Sequence, residues 1–117
     1  MLSLRWPKLY KELAKKGTTP VWLHGVVMTL REESGEYEGE HQYAGHVKWH
    51  YADVVARVVS LSRLTPRGPD QPISTLRDIA MTFEPFPEGL RSGVEFRVGG
   101  RLGADGKLEP LTSSLEV

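Results

Sequence analysis

The chain has 117 residues, 39% hydrophobic and 26% charged, a balance that fits one globular domain and argues against a disordered, collagen-like or coiled-coil protein. It has no cysteine, which excludes a disulfide scaffold, a thiolate zinc site and a cysteine nucleophile; its formal net charge is zero, so no global field draws in a polyanion. No stretch approaches about 18 apolar residues and no signal-like apolar run follows the basic N-terminus, so membrane insertion is not expected and a cytoplasmic location is the default.

The first segment places Leu4, Leu9, Leu13 and Ala14 among lysines, with Pro7 where a first helical turn tolerates it. This predicts a short amphipathic helix over Pro7 to Lys16, stopped by Gly17. The segment is basic: from Met1 to Leu30, Arg5, Lys8, Lys11, Lys15 and Lys16 face only Glu12. Val21 to Leu30, V-W-L-H-G-V-V-M-T-L, is rich in β-branched and aromatic residues and reads as a first strand, with Gly25 marking a bulge of the kind a small barrel needs to close.

Between Glu32 and Gly45 the sequence is acidic and glycine-bearing, with scattered tyrosines and no sustained alternation, which predicts a long loop or an exposed hairpin. Here Glu32, Glu33, Glu36, Glu38 and Glu40 stand against Arg31 alone. Trp49 to Leu64 reads as a long central strand. Strict alternation puts Trp49, Tyr51, Asp53, Val55, Arg57, Val59 and Leu61 on one face, and His50, Ala52, Val54, Ala56, Val58 and Ser60 on the other.

Three prolines and a glycine make Thr65 to Pro72 a loop. A third strand is expected within Thr75 to Glu84, carried by Leu76, Ile79, Met81 and Phe83 and ended by Pro85 and Pro87. Gly89 to Leu102 predicts a turn at Ser92 and Gly93, a half-buried strand through Val94, Phe96 and Val98, and a kink at Gly99 and Gly100. Ala104-Asp105-Gly106-Lys107 carries an Asp-Gly hairpin signal that feeds a last strand holding Leu108, Leu111 and Leu115.

The order of G-L-x-x-G, V-x-F-x-V-G-G-x-L and D-G-x-L before a closing strand resembles the last three strands of OB-fold proteins, over roughly Ile79 to Val117. On that resemblance Phe86 to Val117 is the closing half of a small five-stranded, OB-like Greek-key β-barrel, all-β apart from the N-terminal helix, which is expected to plug one end. The first half departs from the pattern in its long connection between the first two strands and in a connection between strands three and four too short for the usual helix.

OB barrels hold oligonucleotides or oligosaccharides on the face of strands two and three and on the neighbouring loops. The resemblance therefore implies a nucleic-acid site among Tyr43, Lys48, Trp49, Tyr51, Arg57, Arg63, Arg97 and Arg101, with Tyr37 and Lys107 on the flanking loops. Flat rings would stack bases and cations would track phosphates. The five glutamates of the first connection oppose that charge requirement.

The histidines His24, His41, His46 and His50 do not form a chelating spacing, because His46 and His50 on one strand share a face but stand too far apart for one ion; surface or hydrogen-bonded roles are expected, with no cofactor. Trp6 and Trp22 are core candidates, and Trp49 and Tyr51 are expected in core or interface packing. G-x-S-x-G, P-loop, H-E-x-x-H and G-x-G-x-x-G motifs are all lacking, so a non-catalytic module is expected. The leading expectation is single-stranded DNA or RNA binding. A protein-interaction adaptor follows, docking through the N-terminal helix or the aromatic strand, and last comes a small-ligand or haem carrier, for which the membrane anchor and histidine motif of the OB-type haem chaperones are lacking.

Overall fold

The computed structural model describes residues 5–38, 46–74 and 77–117. Two strands of 20 residues dominate it: β1 (Thr19–Glu38) and β2 (His46–Thr65) form one antiparallel hairpin. Around its base are wrapped β3 (Gly68–Pro72), β4 (Asp78–Phe83), β5 (Glu95–Leu102) and β6 (Leu108–Pro110), followed by one 3-10 turn at Thr112–Ser114. The helix α1 (Arg5–Leu13) precedes them.

Five strands close a ring in the order β1-β5-β6-β4-β2, with β2 returning to β1 and β3 hanging on the end of β2. All pairings are antiparallel except the seam, where β4 and β6 run parallel through the pair Met81 and Leu108. The molecule is a small all-β barrel with one short helix, in agreement with the expected fold class. The extra length of the hairpin projects as a two-stranded arm, which accounts for principal extents of 52 × 29 × 29 Å.

Alternation explains the wall. Val21, Leu23 and Val27 of β1, Ala52, Val54 and Ala56 of β2, Ile79, Met81 and Phe83 of β4, and Phe96 and Val98 of β5 point inward and are buried. Phe83 and Phe96 meet edge to face at 6.4 Å between centroids. Fully burying a side chain of this size is worth roughly 1.5–3 kcal/mol, so this one cluster supplies most of the driving force.

Register shifts bend the hairpin. One falls at His24/Gly25, as the glycine predicts, and skips Val59 on β2. The skipped residue reverses the alternation: Val55 is outward and 37% exposed, whereas Leu61, expected on the same face, is buried. The bulge is the reason the strict two-residue period fails there. A second shift, between Val27 and Thr29, leaves Met28 exposed.

Several boundaries differ from expectation. The helix ends at Leu13 rather than Lys16. It does not plug the barrel; it packs on the outside of the wall, where Leu9 and Leu13 join Leu64 in a second buried cluster with Trp6, Trp22 and Leu111 around it. Gly99 permits this, since a Cβ there would stand 3.1 Å from a Leu9 methyl and 3.2 Å from a Leu13 methyl. Both tryptophans are half-buried and meet edge to face at 5.0 Å, so they belong to this outer cluster and not to the barrel core. Gly68 to Pro72, expected as loop, pairs with β2, because its prolines sit on an edge where no ladder donor is needed. The acidic segment is strand as far as Glu38, the hairpin alternative. The last strand stops at Pro110, and Leu115 packs on the core from beyond the 3-10 turn.

Candidate functional site

A groove of about 520 Å³ runs across the outer surface of the ring. Outward residues of three adjoining strands make its walls: Thr29 and Arg31 from β1, Asp53 and Val55 from β2, Ala80 and Thr82 from β4. Lys107 in the β5–β6 turn and Glu109 and Pro110 of β6 close the far side. Its floor reaches Val54, Met81 and Leu108, beside the parallel seam.

The Asp-Gly turn positions Lys107 as its sequence predicts. Gly106 has φ +79°, Asp105 Oδ1 accepts the Lys107 backbone N–H at 3.1 Å, and Gly103 N–H donates to the Lys107 carbonyl at 3.0 Å.

Polar groups in the groove are already organised. Arg31 Nη2 donates to Asp53 Oδ2 at 2.8 Å, and its Nε stands 3.4 Å from Glu33. Thr82 Oγ1 donates to Asp53 Oδ1 at 2.7 Å. The Thr82 hydroxyl, then Arg31, holds the Asp53 carboxyl below the usual carboxylate range. Arg57, the next cation along β2, lies 3.8 Å from Asp78.

Beyond the groove the same face continues onto the arm. In register, Arg31 opposes Asp53, Glu33 opposes Tyr51 and Gly35 opposes Trp49. Trp49 lies over Gly35, where no Cβ intervenes, and remains 38% exposed. Tyr51 is half-buried. The outward face of β2 therefore presents, in order, Trp49, Tyr51, Asp53, Val55 and Arg57, two rings leading into a mixed groove. Trp49, expected in packing, is one of the exposed large apolar side chains.

The other expected site residues are dispersed. Lys48 is on the opposite face of the arm, 3.6 Å from Glu36, beside His50, whose ring stacks on Phe86 at 4.6 Å and bonds Glu32 at 2.6 Å. Arg63 is at the base of the hairpin, in a niche with Tyr10. Arg97 is exposed on β5, the strand on the other side of β1, where its backbone pairs with Glu116. Arg101 donates to the Leu13 and Glu12 carbonyls at 3.0 and 2.8 Å, fastening the end of α1 to the wall. Tyr43 lies outside the described residues. His24 is paired with Glu95.

Among the described residues of the expected set, Lys107 of the flanking turn lines the groove, and Trp49, Tyr51 and Arg57 share the outward face of β2 beside it without lining it. Sequence reasoning missed Thr29, Arg31, Ala80 and Thr82. Their signal was the outward position on strands flanking the second, which becomes readable only once the strand order is known.

No family model, no curated protein and no solved structure matches the chain. The functional reading therefore rests on the groove itself.

Proposed function

We propose that the chain is a non-catalytic, OB-type binding module and that its groove holds a short single strand of DNA or RNA. The observation that carries this reading is the row Trp49–Tyr51–Asp53–Val55–Arg57: exposed or half-buried rings lead along the outward face of β2 to a groove lined by Asp53, Val55, Arg31 and Lys107, with Arg57 next along the same face. The closed five-strand ring with one parallel seam supports the OB-type assignment, and the groove lies where such barrels bind, on the second and third ring strands between the first hairpin and the last turn. Stacking contributes about 1–3 kcal/mol per base and tolerates any sequence.

The charge in the groove sets the expected strength. Arg31 in the groove and Arg57 beside it already face carboxylates, which leaves Lys107, so the groove alone offers few phosphate contacts and the binding it supports is weak and stacking-dominated. Titrating the protein with short oligothymidylates at low salt tests the reading. Quenching of Trp49 fluorescence, abolished in Trp49→Phe, supports it; no spectral change at high micromolar strand contradicts it.

A second reading has its own observation. The exposed Val55 at the centre of the groove and the paired arginines around it also suit an extended peptide, as in a protein-interaction adaptor. Peptide binding that a single strand fails to compete would favour it.

A further inference from the structure

Among the described residues a group of exposed cations without carboxylate partners lies away from the groove. On α1 Leu9 and Leu13 are buried with Trp6 half-buried beside them, Lys8 and Lys11 are exposed away from that face, Lys8 in a depression it shares with Arg5 and Glu12, and Lys15 follows in the exposed segment after the helix. Arg63 joins them from β2, in a niche of about 240 Å³ that it shares with Tyr10, Thr18, Thr19 and Pro20. Arg67 joins from the turn before Gly68, which abuts the Trp6 ring. All five cations are exposed. Among the described residues none has a carboxylate within ion-pair distance, and Glu12 is the one acidic side chain on the helix.

The groove and this basic base are joined. Lys107, Leu108 and Glu109 line the groove and also line a depression of about 250 Å³ that extends to Thr18. Thr18 in turn lines the Arg63–Tyr10 niche. A continuous line of depressions therefore runs from the groove, past the β5–β6 turn, to Arg63 and to Tyr10, the residue before Lys11 on α1. Along β1 its ends are set by Thr29 and Thr19, about 30 Å apart at 3.3 Å per residue.

We propose that this track is a second, sequence-independent contact: the phosphate backbone of the strand held in the groove continues along it onto Lys8, Lys11, Lys15, Arg63 and Arg67. The inference rests on the nucleic-acid reading of the groove. It divides the work between the two ends, with rings and apolar wall at the groove, where Arg31 and neighbouring Arg57 already face carboxylates, and unpaired cations at the base, where phosphates are needed.

The test uses fluorescein-labelled oligothymidylates of two lengths, about 3 and about 20 nucleotides, with anisotropy read against salt. The long strand reaches the base and the short one does not. The parent protein is expected to bind the long strand more tightly and with the steeper salt dependence. In Lys8→Gln/Lys11→Gln/Lys15→Gln, long-strand affinity at low salt falls about tenfold and the log–log salt slope becomes shallower by about 2, at about 0.7 per lost phosphate contact. Short-strand affinity stays at the parent value, and a thermal melt confirms folding.

An unchanged long-strand slope in the triple variant overturns the proposal while leaving the groove reading intact. If neither strand binds the parent, the groove reading fails and the proposal with it. If the parent instead self-associates at low salt and the variant does not, the base takes the acidic arm of a second copy, and the proposal is likewise overturned.

Discussion

The Trp49 indole occupies the space in which a side chain at Gly35 would stand. The two residues are direct partners in the β1–β2 register, and a Cβ added to Gly35 would fall within the ring. The glycine backs one side of an exposed aromatic surface on an arm that otherwise has only two strands.

Gly35→Ala should therefore displace the indole without touching the barrel. On the nucleic-acid reading, oligothymidylate affinity falls about fivefold or more, the equivalent of about 1 kcal/mol of stacking, while the melting temperature changes little. Trp49→Ala should give the same loss. If Gly35→Ala binds as the parent does, Trp49 is not a stacking platform.

Gly99 and Gly100 are adjacent, yet they respond to different neighbours. A methyl at Gly99 meets the ends of the Leu9 and Leu13 side chains at 3.1 to 3.3 Å, which can give way. At Gly100 it meets the Glu109 carbonyl at 2.7 Å and Leu108 at 2.9 Å, inside the wall. Gly99→Ala should cost under about 1 kcal/mol, and Gly100→Ala about 2 kcal/mol or more, by denaturant titration. Equal costs would contradict the placement of the helix outside and β6 inside.

Arg101 ties α1 to β5 through two carbonyls and Glu109. Arg101→Met keeps the stem and removes the bonds, leaving the helix end unfastened. The expected loss is about 2 kcal/mol, with a fall in Tm of roughly 10 °C by calorimetry. A change of under about 2 °C would show that the apolar contacts of Leu9 and Leu13 alone hold the helix.

Asp53 governs part of the acid limb of stability. Its carboxyl is held below the usual range by Thr82 and then by Arg31, so between the folded and unfolded values the unfolded chain binds the extra proton. The stabilisation is fully present above about pH 4, the ordinary carboxylate value, and is lost as pH falls through the lower folded value. A plot of Tm against pH should therefore drop less steeply below about pH 4 for Asp53→Asn than for the parent. Parallel curves would remove Asp53 from that role.

Barrel class, helix, hairpin turns and closing strands were legible because each has a local signal: β-branched runs, Gly25 at a bulge, and Asp105-Gly106 with a positive φ. The arm was legible only as one of two alternatives, loop or exposed hairpin, since the acidic stretch from Glu32 has charged residues on both faces and a two-stranded ribbon in water imposes no hydrophobic period. The groove was half legible. Trp49, Tyr51 and Arg57 share a strand face that alternation reveals, but Arg31 and Thr82 reach it from other strands. Arg101 and Arg63 looked equivalent to Arg57 in sequence, and only tertiary placement separates a helix fastener and a basal cation from a residue on the strand face beside the groove.

The central claim is that the groove across β1, β2 and β4 holds a single strand, and amide chemical-shift mapping during titration with a short oligothymidylate tests it most directly. The account predicts shifts concentrated at Thr29, Trp49, Val55, Thr82 and Lys107, with Glu95 to Val98 on β5 unchanged. Shifts confined to the β5 wall, or none at saturating strand, would contradict it.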